Sequence, residues 1–102
     1  MTHYCVVRGD LPRGVLAAQL IHAAGESSPG ELPDGTHAVA LEARSLEELQ
    51  TIESKLKERG IPHQAIREPD APWDGELMAI GIEPVEDRCV LKKVTSSLPL
   101  LR

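Results

Sequence analysis

Phenylalanine is absent from this chain, and aromatic residues amount to 2% of it, one Trp and one Tyr. An interior without rings must be filled by Leu, Ile, Val and Ala. That suits helices layered on a sheet, where Ala allows close approach. Basic residues are also scarce, 11 against 16 acidic ones, for a formal net charge of −5. Such a surface argues against broad nucleic-acid binding, which relies on Lys and Arg contacts to phosphate. The deficit is uneven, however. Up to Gly30, Arg8 and Arg13 balance Asp10 and Glu26, so the whole acidic excess lies beyond that point and RNA is not excluded. Cysteine is limited to Cys5 and Cys89, which form no metal-like pair. Read as two buried thiols, they fit a reducing cytoplasm. No apolar run is long enough to span a membrane, and the first residues do not look like a targeting segment. The expectation is a soluble, cytoplasmic protein.

What is present is enough for one core. With 102 residues, 41% of them apolar, the chain is expected to form a single domain over residues 1–102. Tyr4 to Arg8 is a short run of strand formers ended by Gly9-Asp10. A helix from about Arg13 to Ala24 follows, its buried face expected at Leu16, Leu20 and Ala23. Residues 25 to 35 hold two prolines and three glycines and read as a connector loop. His37 to Ala43 is a second strand. Ser45 and Glu48 then make a capping box ahead of Leu46, Leu49, Ile52 and Leu56, and Gly60 stands where that helix should stop.

His63 to Arg67 and Leu77 to Ile82 read as two strands around an acidic turn, antiparallel if they are neighbours. A last helix is expected from about Glu86 to Leu98, before Pro99. The order β-α-β-α-β-β-α predicts a three-layer α/β/α domain, with a mixed, mostly parallel four-stranded sheet between helices.

The first helix carries two polar residues amid aliphatic ones, Gln19 and His22, three apart. With Val15 and Glu26 they read as one polar edge starting near Arg13. That edge begins at the carboxyl end of the first strand, where α/β proteins commonly place their sites. The free N–H groups of Gly14 and Val15 would attract an anion such as phosphate. The plainer reading makes His22 structural, bonded to a carbonyl or facing solvent. The acidic turn is ordinarily a solvated loop, and Trp73 within it either stacks on a base or folds back as a plug. Lys55, Lys57, Arg59, Lys92 and Lys93 either keep the surface soluble or form the phosphate tracks.

These residues resemble a family. Tyr4-Cys-Val-Val-Arg-Gly-Asp-Leu11, followed by Arg13-Gly-Val-Leu-Ala-Ala-Gln-Leu-Ile-His-Ala-Ala24, is similar to the opening of type 2 peptidyl-tRNA hydrolases. Their signature is a strand ending Val-Val-Arg-x-Asp-Leu and a helix reading Lys-Gly-Lys-x-Ala-Ala-Gln-x-x-His-Ala. The resemblance runs from Tyr4 to Leu98. The family's two lysines fall at Arg13 and Val15. Its Asp-Ala-Gly-Arg-Thr-Gln after the third strand is replaced by Glu68-Pro-Asp-Ala-Pro-Trp73, a character closer to the divergent peptidyl-tRNA hydrolase domain-containing branch.

The resemblance implies hydrolysis of the ester between a peptide and the tRNA ribose, with no metal and no cofactor. The catalytic candidates are His22 as base, Gln19 and Arg13 as donors, and Glu68 or Asp70 as the carboxylate orienting the imidazole. Asp10, Gly14, Val15 and Trp73 are candidate substrate contacts. The partners are peptidyl-tRNA or another RNA, with a homodimer as candidate assembly and no membrane. The alternatives are a non-catalytic RNA- or protein-binding member of the same fold, or hydrolysis of a smaller ester or amide.

Overall fold

The computed structural model describes residues 1–102. Four strands, β1 (Thr2–Arg8), β2 (His37–Ala43), β3 (His63–Glu68) and β4 (Glu76–Ile82), form one sheet in the order β2-β1-β4-β3. Helix α1 (Arg13–Ser27) covers one face. Helix α2 (Leu46–Glu58) and a short final helix, α3 (Lys92–Thr95), cover the other. The expected three layers are present.

The sheet is mixed but not mostly parallel. Only β1 and β2 pair parallel, while β4 is antiparallel to both β1 and β3. The cause lies in the β3–β4 connection: a turn reverses the chain, and β4 then inserts between β1 and β3. A helical crossover is what keeps neighbours parallel, and only β1-α1-β2 supplies one between adjacent strands. Asp74 and Gly75 both take positive φ in that turn, at 49° and 89°.

Helix α2 forms as its sequence dictates. The Ser45 hydroxyl accepts from the Glu48 N–H at 3.2 Å, and the Glu48 carboxylate reaches back to the N–H of Arg44. At the other end Gly60 adopts φ 65°, and the Ile61 N–H bonds the Leu56 carbonyl to close the helix. Leu49, Ile52 and Leu56 pack on Val6, Leu41, Ile80 and Ile82 of the sheet. The last helix is much shorter than expected. A 3₁₀ turn, Arg88–Leu91, leads into α3, and its start is fixed by the Asp87 carboxylate accepting from the Cys89 N–H. Thr95, Ser96 and Ser97 are weak helix formers, so no propensity carries the helix on towards Pro99. Cys89 on this turn is exposed rather than buried. Cys5 is buried, and burial pushes its thiol up to about 11.

Helix α1 sits on the sheet in a way the aliphatic pattern did not indicate. Its buried stripe is Gln19, Ala23 and Ser27, with Leu16 and Leu20 half-buried at its sides. Small and polar residues can occupy the centre because β4 offers no bulk there. A Cβ on Gly81 would run into the Ala23 carbonyl oxygen and the Ser27 hydroxyl. The polar members of the stripe are bonded. Ser27 donates to the Ala23 carbonyl at 2.6 Å and accepts from His3 Nε2 at 2.7 Å, so that nitrogen carries the imidazole proton. Burial lowers the pKa of His3, which keeps the ring neutral.

Beyond α3 the chain crosses the outer edge of β2. Glu42 N–H bonds the Pro99 carbonyl, Leu101 N–H bonds the Ala40 carbonyl, and Leu100 lies opposite Leu41. Leu101 is thereby delivered to the α1 side, where it joins that core. The edge strand is covered, as an exposed edge must be to avoid pairing with other chains.

The seating of α1 gives a direct stability test. Gly81→Ala should cost about 2–3 kcal/mol, because the added methyl meets a backbone carbonyl that cannot rotate away. Chemical denaturation measures it. A neutral result would mean that the helix stands further from the sheet than described.

Candidate functional site

The carboxyl ends of β1 and β3, the amino end of β4 and the flank of α1 meet at one end of the sheet. At the centre is Arg8, the last residue of β1, whose side chain is 6% exposed. Its Nε and Nη2 donate to both oxygens of Asp10 at 3.0 Å, and Nη1 donates to Glu76 at 2.8 Å and to the Leu77 carbonyl at 3.2 Å. Trp73 lies over the guanidinium, with 5.7 Å from Cζ to the ring centroid, and packs against the α1-side core. Of its two expected roles, Trp73 shows the plug. Asp10 is likewise engaged within the fold, and its bond to Arg8 holds its carboxyl below the usual carboxylate range.

Beside this cluster Gln19 spans from α1 to β3, its Nε2 donating to Glu68 Oε2 at 3.3 Å. With the amide reversed, an oxygen would face a carboxylate, so the bond fixes the orientation. Gln19 is only 6% exposed, and its Oε1 has no hydrogen-bond partner. An orphaned buried acceptor costs about 1–3 kcal/mol, which marks Gln19 as a residue not placed for stability alone.

The expected polar edge is therefore divided. Gln19 points at the sheet and meets Glu68, whereas His22, one turn on, is exposed and forms no hydrogen bond or ion pair. Asp70 is also exposed; its backbone carbonyl accepts from Trp73 and Asp74, while its carboxylate contacts neither His22 nor Gln19. Arg13 and Gly14 are exposed at the start of α1, where Pro12 provides no side-chain cap and the first turn has no acid. Val15 is half-buried against the α1-side core. No group of three or more His, Cys, Asp or Glu is arranged to hold a metal ion.

Sequence reasoning passed over Arg8 and Glu76, the pair that organises this end of the molecule. The available signal was a charged residue closing an apolar strand, since such a group, once buried, needs partners.

The two sides of the Arg8 cluster should respond unequally to removal. Arg8→Met leaves Asp10 and Glu76 with side chains 44% and 40% exposed, which water can solvate. A loss of about 2 kcal/mol is expected. The double variant Asp10→Ala/Glu76→Ala strands a buried guanidinium and should cost about 3–5 kcal/mol. The Asp10 pKa is depressed in the fold, so its stabilisation is present above the ordinary value of 3.8 and lost as pH falls through the lower folded value. The gap between wild type and Arg8→Met should accordingly narrow below pH 3.8. Urea denaturation at pH 7 and in acid measures both effects; equal losses, or a gap that widens in acid, would contradict the geometry.

The family model described as "Peptidyl-tRNA hydrolase PTH2" matches residues 1–101. A curated relative from Methanopyrus kandleri, named Peptidyl-tRNA hydrolase, is 38% identical over 111 aligned positions that cover 95% of each chain. Among solved structures, a protein of unknown function from Agrobacterium tumefaciens strain C58 superimposes with a TM-score of 0.62 over 99% of this chain and 97% of its own. At 16% identity that likeness concerns the fold alone. With the family match over nearly its whole length and a relative similar end to end, the chain belongs to the peptidyl-tRNA hydrolase PTH2 family.

Proposed function

We propose that this protein hydrolyses the ester linking a peptide to the ribose of tRNA, and that the Gln19–Glu68 pair aims the attacking water. The observation that carries the reading is the 3.3 Å bond from a buried amide on α1 to a carboxylate at the end of β3, next to the exposed start of the helix. Gln19 holds Glu68 in one orientation, and the other carboxylate oxygen is left for a water molecule.

The water oxygen attacks the ester carbonyl as Glu68 takes its proton, and the bond from the carbonyl carbon to the ribose oxygen then breaks. His22 returns a proton to that leaving oxygen, the task for which an exposed and unbonded imidazole is suited. Arg13 and the free N–H groups of Gly14 and Val15 attract the phosphate on the 5′ side of the reacting ribose. Asp10, Trp73 and Glu76 contribute by fixing Arg8 and hence this end of the sheet. Asp70 borders the site as part of the acidic turn. No helix is long and apolar enough to cross a membrane. The reading places the protein in the cytoplasm, and Ile21, 73% exposed on α1, is the candidate contact of a homodimer.

The test is hydrolysis of a peptidyl-tRNA by purified protein. Glu68→Gln and His22→Ala should each lower kcat by about 10²–10⁴. His22→Ala should leave the melting temperature unchanged, because the side chain is exposed and unpartnered. Full activity in both variants would remove this machinery from the reaction. Wild-type protein that binds tRNA in a salt-sensitive way but never cleaves it would establish the non-catalytic reading instead.

A further inference from the structure

The acids of the site are gathered on one side. Glu68, Asp70, Asp74 and Glu76 all lie on the β3–β4 arm, and the bases beside them are already occupied, Arg8 by Asp10 and Glu76 and Arg67 by Glu53. A polyanionic substrate cannot lie along that wall. The opposite wall is different in kind. An open cavity of about 430 Å³ lies between the first turn of α1 and the segment that crosses β2, lined by Leu11, Arg13, Leu16, Leu101 and Arg102.

Its two polar residues are both arginines, both are exposed, and neither pairs with a carboxylate. Glu42, the acid nearest in register, belongs to β2 beside Val7 and lies over Gly9, where its side chain fills the space a Cβ would take. The apolar residues anchor the arrangement. Leu101 is tied by its N–H to the Ala40 carbonyl and packs into the α1-side core, so Arg102 is presented from a fixed base.

We infer that Arg102 is a substrate-binding residue that, with Arg13 across the cavity, clamps a backbone phosphate of the RNA next to the reacting ester. The inference rests on the peptidyl-tRNA reading and adds the direction in which the substrate lies. The RNA strand runs over the α1 start and the β2-edge segment, and the peptide runs towards the acidic arm. Two guanidiniums facing a phosphate from opposite sides give charge and directed hydrogen bonds together, which a single arginine in the first turn of α1 does not. The cavity floor of three leucines offers the phosphate nothing, so the ion must sit at the rim, between the two heads.

Arg102→Gln and Arg13→Gln are compared with wild type by steady-state hydrolysis of a peptidyl-tRNA and by the salt dependence of tRNA binding. Arg102→Gln should raise KM several-fold and leave kcat within about twofold. It should also lower the slope of log K against log salt by about 0.7, as expected for one lost contact to single-stranded RNA. Arg102→Lys should recover the slope, and Arg88→Gln, on the turn before α3 across the sheet, should change neither quantity. Unchanged KM and slope in Arg102→Gln, with wild type active, overturn the clamp alone. An equal effect from Arg88→Gln also overturns it, because the charge would then act through the overall field. Wild type that neither binds nor cleaves peptidyl-tRNA overturns the clamp together with the function on which it rests.

Discussion

The close approach of α1 to β4, permitted by a residue without a side chain at position 81, is the constraint on which the site depends. Because Gly81 lets the Ala23 and Ser27 turn down onto the strand, the helix lies low enough for Gln19, one turn earlier, to reach past β4 to Glu68 on β3. A larger residue at 81 would lift the helix at its carboxyl half and tilt the same amide away. Packing in the carboxyl half of α1 thus sets the geometry of a polar contact one turn earlier, and tightly packed interiors transmit displacement in this way.

The second fixed point is the guanidinium of Arg8. A charge buried this deeply is tolerable only when its hydrogen bonds are met, and Asp10, Glu76 and the Leu77 carbonyl meet them. In doing so they bind the loop after β1 to the start of β4 and seat Trp73 as a lid over the core. The acidic arm that bears Glu68 is tied to the core in this way, although its sequence has the composition of a solvated loop. On the proposed reading an anionic substrate lies along the opposite wall, where the helix start and the segment crossing β2 present unpaired arginines.

Much of this architecture was legible in the residues. Ser45, Glu48 and Gly60 delimit α2 because caps are local chemistry, and the apolar runs YCVV and LMAIGI mark β1 and β4 because a strand buried on both faces reads as continuous apolar sequence. The buried face of α1 was legible only in part: Ala23 is buried as expected. Leu16 and Leu20 mark an apolar side, but the stripe that is buried holds Gln19 and Ser27, which depend on partners from β1 and β3 far away in the chain. Nor could the sequence order show β4 inserted between β1 and β3, since strand order is set by long-range pairing. For the site, the family motif brought Gln19 and Glu68 forward, while their contact is a fact of packing. His22 stands out in the sequence more than in the fold, where nothing holds it.

The central claim is that Gln19 acts through Glu68, as a positioning residue rather than as a separate donor to the substrate. A double-mutant cycle on kcat for peptidyl-tRNA hydrolysis, with Gln19→Ala, Glu68→Gln and the pair, tests this most directly. Residues that work as one unit lose their effect together, so the double variant should be no slower than Glu68→Gln alone. Losses that multiply in the double variant would show that the two side chains act independently, and would contradict the account.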